Sequence, residues 1–110
     1  MGNALEETQI IVPQIAYKIG RSARMMIKHN RMEALPGLNK VIGRYIMNDI
    51  FSVRPRLFMA LNREGYHTRQ QKVTFILTQL YAFIQDDAFE WDDPDEDDPL
   101  ESDPEENEQP

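Results

Sequence analysis

Apolar residues recur at helical spacing in four stretches of the chain. In the first, between Gln14 and Arg31, a helix of about 100° per residue places five of them on one side: Ile15, Ile19, Ala23, Met26 and Ile27. Pro13 comes just before, at a position where the first turn of a helix needs no amide hydrogen. The pattern predicts an amphipathic helix that begins after Pro13.

A second helix is predicted over residues 38–51. The breaker Ala34-Leu35-Pro36-Gly37 separates it from the first. Its apolar face would be formed by Leu38, Val41, Ile42, Tyr45 and Ile46.

Two more helices are predicted before the composition changes. Ser52 and Pro55 signal the start of a short third helix, and Gly65 is suited to a left-handed cap at its end. Thr68 and Gln71 have the spacing of a capping box, which begins the fourth helix. The residues expected to point inward are Leu57, Phe58 and Leu61 from the third helix and Val73, Ile76, Leu77, Leu80 and Ile84 from the fourth. With no strand-like alternation of any length, the fold class is all-α, a small bundle of about four helices.

Charge divides the chain into two parts. Residues 1–85 hold all 12 Lys and Arg and only five acidic residues, so this part carries +7. Residues 86–110 hold the other fourteen acids and no base. A segment so poor in apolar residues cannot offset the entropy of ordering it, which is roughly 1–2 kcal/mol per residue. We expect a basic helical domain over residues 1–85 and a disordered acidic C-terminal tail over residues 86–110.

The polar side of the first predicted helix is strongly basic. It carries Lys18, Arg21, Arg24, Lys28 and Arg31, and five cations on one face attract anionic partners through their summed field. An acidic protein, a nucleic acid and an anionic membrane all carry the negative charge that such a face attracts. The alternative is a solvated face that only keeps the protein in solution.

The third and fourth helices also resemble a helix-turn-helix. The outer side of the second helix of this pair would carry Arg69, Gln70, Lys72, Thr74, Thr78 and Gln79. Phe75, Tyr81 and Phe83 make this helix apolar on nearly all sides, which favours a buried or partner-covered helix over one that reads DNA. The extra apolar surface is also compatible with a homodimer.

The residues needed for catalysis are scarce in the helical part. The chain has no cysteine, its glycines form no phosphate-binding loop, and His29 and His67 lie far apart in the sequence without a ligand spacing. Asp49 is the one acid that overlaps an apolar face, either as a buried carboxylate or paired with Arg44 or Arg56. We therefore expect no enzyme, no metal site and no cofactor.

An aromatic pair interrupts the acidic tail, in the run Phe89, Glu90, Trp91, Asp92 and Asp93. This run resembles the W-acidic motifs read by kinesin light chains and is similar to the acidic-aromatic peptides of transcriptional activators. The resemblance implies a basic, grooved partner. Alternatively, Phe89 and Trp91 fold back on the helical domain and complete its core. Ser102, followed by Asp103 and Glu105, resembles a site for acidophilic kinases.

Together these features predict a non-enzymatic interaction or adaptor protein. Its basic helical domain would bind an acidic or apolar partner, and its tail would bind a second, basic partner. The alternative function is a nucleic-acid-binding regulator with an autoinhibitory acidic tail. We expect a protein partner first, with nucleic acid or an anionic membrane as the alternatives. With no candidate span or leader, we expect an intracellular protein, cytoplasmic or nuclear, neither secreted nor transmembrane.

Overall fold

The computed structural model describes residues 3–86, and this part of the chain is mostly helical, without strands. The elements are α1 (Ala4–Ile19), α2 (Arg21–His29), a 3₁₀ turn (Met32–Ala34), α3 (Pro36–Tyr45), a π-helical segment (Ile46–Ile50), α4 (Phe51–Val53), α5 (Pro55–Arg63) and α6 (Arg69–Gln85). The prediction of a small all-α bundle is confirmed. The predicted tail lies outside the described residues.

The first helix begins ten residues earlier than its pattern predicted. Asn3 and Glu6 form a capping box, in which the Glu6 amide donates to Asn3 Oδ1 at 2.8 Å and the Asn3 amide donates to Glu6 Oε1 at 3.4 Å. Pro13 consequently lies inside α1 and not at its start, where we had placed it. An interior proline removes one hydrogen bond and costs about 3 kcal/mol. The burial of Ile11 and Ile15 on either side of it offsets that cost.

The predicted second helix is present, and it extends in both directions. Pro36 occupies a first-turn position of α3, and the π-helical segment and α4 continue the helix to Val53. In the π-helical segment the Phe51 amide donates to the carbonyl of Ile46, one residue farther back than in an α-helix. The helix stops at Arg54 because Pro55 disfavours the helical conformation in the residue before it.

The last two helices follow most of their sequence signals, but Ser52 is wrong as a helix start, because it lies inside α4 and α5 begins at Pro55. Gly65 has a φ of 99°, the left-handed conformation expected of it after α5. At the start of α6, Thr68 and Gln71 form the predicted capping box, with both hydrogen bonds at 3.0 Å. Four of the five residues predicted to point inward from α6 are buried, and Val73 is half-buried against the core.

The core is built around α6, which packs against α1, α2 and α3. Tyr81 is part of that core, 4% exposed, and its hydroxyl donates to Asn39 Oδ1 at 2.8 Å.

Asp49 is exposed, so a buried carboxylate at this position is wrong, and the structure shows no ion pair between Asp49 and either of the two arginines considered for it. None of the helices over residues 3–86 has the length and apolar character needed to cross a bilayer.

Candidate functional site

The predicted basic helix is in fact two helices. Gly20 separates α1 from α2 with φ 94° and ψ 165°, a conformation that side chains other than glycine rarely adopt. The chain therefore changes direction in the middle of the basic stretch. The five cations do not share one helical face, and that part of the prediction is wrong.

Arg24, the central cation of the predicted face, is buried, with 3% of its surface exposed. Its Nη1 donates to the carbonyl of Ala16 at 2.8 Å and to that of Tyr17 at 3.4 Å. Both carbonyls lie in the last turn of α1, where helix geometry leaves acceptors without intrahelical partners and the dipole favours a cation. Arg24 therefore caps α1 and holds α2 against it, a structural role that the helical-wheel pattern did not predict.

The other four cations remain at the surface. Lys18, Arg21 and Arg31 are exposed, and Lys28 is half-buried. Lys18 ends α1 and Arg21 begins α2, so they flank Gly20, while Lys28 lies in the last turn of α2. Arg31 lies beyond α2, at the start of the 3₁₀ turn. Two of the predicted cations thus flank the α1–α2 corner, and Lys28 lies at the other end of α2.

Apolar side chains are also exposed on the two helices that carry Lys18, Arg21 and Lys28. Met25 lies four residues after Arg21 and three before Lys28, a spacing that places all three on one side of α2. It is 39% exposed, and its neighbour Met26 is 46% exposed. In the last turn of α1, Tyr17 is 41% exposed. We call the set Tyr17, Lys18, Arg21, Met25, Met26 and Lys28 the basic–methionine surface.

This surface combines two kinds of attraction. Lysine and arginine attract carboxylates over several ångströms, and exposed apolar area gains about 25 cal/mol per Å² when a partner covers it. Methionine is flexible and polarisable, so it adapts to apolar partners of different shapes. The helical spacing predicted Met26 on the inner side of one long helix. The break at Gly20 is the signal that would have corrected that placement.

The helix-turn-helix prediction is wrong at Lys72. The helix that would read DNA is α6, which packs one side against α1, α2 and α3 and exposes Gln70, Thr74 and Thr78 on the other. Lys72, expected on its outer side, is 1% exposed and donates from Nζ to Asn62 Oδ1 and to the carbonyl of His67, both at 2.9 Å. Helix α6 is therefore buried along one side only, and coverage of its exposed side by a partner stays a prediction.

A second, uncharged groove of about 760 Å³ follows the solvent side of α6. Tyr66 and Phe75 pack together at one part of it, with ring centroids 4.8 Å apart. Its other lining residues are glycine, threonine and glutamine: Gly65, Thr68, Gln70, Gln71, Thr74, Thr78 and Gln79. None of these side chains is ionisable except the Tyr66 phenol, so the groove gives no acid–base pair for catalysis.

The remaining candidate residues divide between surface positions and the undescribed tail. His29 and His67 are both exposed, and over residues 3–86 no three His, Asp or Glu side chains gather as a metal site would require. The tail run from Phe89 to Asp93 and the predicted phosphorylation site Ser102 lie outside the described residues.

Comparisons with protein-family models, with curated proteins and with solved structures found no match to this chain.

Proposed function

We propose that this chain is a protein-interaction module whose basic–methionine surface binds an acidic, amphipathic segment of a partner protein. The observation that carries the proposal is the exposure of Met25 and Met26, at 39% and 46%, on a short helix that also carries Arg21 and Lys28. A segment with carboxylates beside apolar side chains complements both components of this surface.

The exposed methionines favour a protein over a nucleic acid as the partner. Contacts to a phosphate backbone come from lysine, arginine and small polar side chains, and they gain nothing from thioethers. Single-stranded nucleic acid is usually bound by stacking on aromatic residues, of which this surface has Tyr17 alone. The basic charge would still attract nucleic acid weakly, and its affinity serves as the comparison in the test.

The test measures the binding of three fluorescent probes to the full chain at low salt. One probe is a designed peptide with glutamates on one helical side and leucines on the other. The second is the same composition in scrambled order, and the third is single-stranded DNA of equal charge. The proposal predicts the tightest binding for the amphipathic peptide. Tighter binding of the DNA would overturn it in favour of the nucleic-acid regulator.

A matched pair of double variants locates the binding. Met25→Ser with Met26→Ser removes the apolar part of the surface, and Val41→Ser with Met59→Ser removes two side chains of similar exposure, 59% and 57%, on other helices. The first pair should weaken binding of the amphipathic peptide, while the second should leave it unchanged. Equal effects of the two pairs would contradict the assignment of the surface.

A further inference from the structure

A small groove lies between α1 and α6, close to where the chain leaves the described structure. It has a volume of about 380 Å³ and is lined by Gln9, Val12, Gln79, Ala82 and Phe83. Its apolar floor comes from Val12, Ala82 and Phe83, and the two glutamines at its edge are uncharged. The groove is therefore suited to an apolar side chain whose flanking groups stay at the surface.

The chain itself continues directly from one wall of this groove. Helix α6 ends at Gln85, and Asp86 follows with an extended backbone, φ −71° and ψ 115°. Ala82 and Phe83 belong to the last turn of that helix. Trp91 is five residues beyond Asp86, a separation that spans at most about 18 Å. The first aromatic residues of the tail are thus within reach of the groove without any rearrangement of α6.

We propose that residues 89–93 of this chain fold back and dock in the groove between α1 and α6. In an extended segment, residues at positions i and i+2 share one side. Phe89 and Trp91 would then face the groove, while Glu90 and Asp92 face away from it. This alternation lets the segment bury aromatic area without burying a carboxylate, which would be costly.

The charges near the groove favour the same docking. Gln85 Nε2 donates to the carbonyls of Ile27 at 2.9 Å and Asn30 at 2.6 Å, so the end of α2 is joined to the end of α6. The basic–methionine surface includes Lys28 from that end of α2. A docked tail would carry its carboxylates past this surface, where the opposite charges attract each other.

If the proposed function holds, the docking also regulates it. An acidic segment tethered beside the basic–methionine surface competes with an acidic partner at an effective concentration in the millimolar range. The docking itself does not depend on that function, since it needs only the groove and the tail.

Trp91 allows a direct test, because it is the one tryptophan of the chain. In the full chain its fluorescence should be blue-shifted and protected from acrylamide, compared with the same chain unfolded in urea. Ala82→Glu places a carboxylate in the groove, against an acidic segment, and should shift the emission to the red and restore quenching. Met59→Glu makes the same charge change on the exposed side of α5, where Met59 is 57% exposed, and should change neither.

Two further measurements keep the result decisive. Phe89→Ser lies outside the described helices and removes one of the two docking side chains, so it should release Trp91 even if Ala82→Glu disturbs the fold. The spectrum should be independent of protein concentration. The proposal is overturned if Trp91 emission in the full chain matches that of the urea-unfolded chain. It is also overturned if the protection of Trp91 from acrylamide is lost on dilution, or if neither Ala82→Glu nor Phe89→Ser changes it. Because no ligand is present, this outcome is separate from the success or failure of the proposed partner binding.

Discussion

The ammonium group of Lys72 lies over the ring of Phe58, 4.4 Å from the ring centroid. The same group donates to Asn62 Oδ1 and to the carbonyl of His67. With only 1% of its surface exposed, Lys72 holds the first turn of α6 against α5 and the loop between them. The sequence pattern predicted Lys72 on the solvent side of α6, but its side chain is buried and joins α6 to α5.

Lys72→Met should destabilise the protein by about 1.5–3 kcal/mol, because it removes two hydrogen bonds from a charged donor while keeping most of the side-chain volume. The measurement is the free energy of unfolding in urea. Arg69→Met, three residues earlier and exposed, should change that free energy by less than about 0.5 kcal/mol. Similar costs for the two variants would show that the contacts of Lys72 contribute little.

Gly43 of α3 lies close to Val73 of α6. A Cβ built on it would lie 3.1 Å from Val73 Cγ1, whereas one built on Gly37 meets nothing within 4 Å. Gly37→Ala should therefore stabilise the fold by about 0.4–1 kcal/mol, since it reduces the freedom of the unfolded chain. The effect of Gly43→Ala on the free energy of unfolding should be more favourable in a Val73→Ala background than in the wild type, by about 0.5 kcal/mol or more. Additive effects in this double-mutant cycle would contradict the close contact.

Tyr81 should make stability fall at alkaline pH. Burial, with the negative charge of Glu33 as a second cause, raises the pKa of the Tyr81 phenol above its ordinary value of 10.0. The folded state therefore holds the phenol proton more tightly than the unfolded state does. This stabilisation is complete below pH 10.0 and is lost as the pH rises through the folded-state pKa.

The check is the free energy of unfolding of wild type and Tyr81→Phe at a series of pH values. The variant lacks the hydrogen bond to Asn39 at every pH, so its stability should be lower by a constant amount at neutral pH. Above pH 10.0 the difference should shrink as the wild type loses its advantage. A difference that stays constant would contradict the assignment.

Removal of residues 87–110 should leave a folded helical domain. Within residues 3–86 the buried core extends from Ala4 to Ile84; the Ala4 amide donates to Glu64 Oε2, and the Gln85 side chain donates to the Ile27 carbonyl. Circular dichroism should show helical content and a cooperative melt for the truncated chain. An unfolded product would show that the tail supplies part of the core and that the division near residue 86 is misplaced.

Local signals in the sequence predicted the second half of the bundle well. Thr68, Gln71 and Gly65 each act within a few residues, through a capping box and a left-handed turn, so their effects can be inferred without knowing the tertiary fold. The inward side of α6 follows in the same way from its helical spacing. In these elements the local preference and the global packing agree.

The first half was harder because tertiary contacts override its local signals. Pro13 suggests a helix start, yet packing on both sides of it sustains α1 through that position. Gly20 fits a continuous helix by spacing alone, yet the fold uses its positive φ to turn the chain. Arg24 then becomes a buried cap, which no helical wheel can predict, because its acceptors belong to another helix. For this reason the candidate site differs from its prediction. Arg24 is buried and lies outside the site, whereas the exposed side chains of Met25 and Met26 belong to it.

We propose that the basic–methionine surface contacts an acidic amphipathic partner, and backbone amide mapping by NMR can locate this contact residue by residue. The designed amphipathic peptide is added to isotope-labelled full chain, and the shift of each amide is followed. We expect the largest changes over residues 17–28, with little change around Val41 and Met59, whose side chains are also exposed. Changes centred on those two residues, or spread evenly over all the cations, would contradict it.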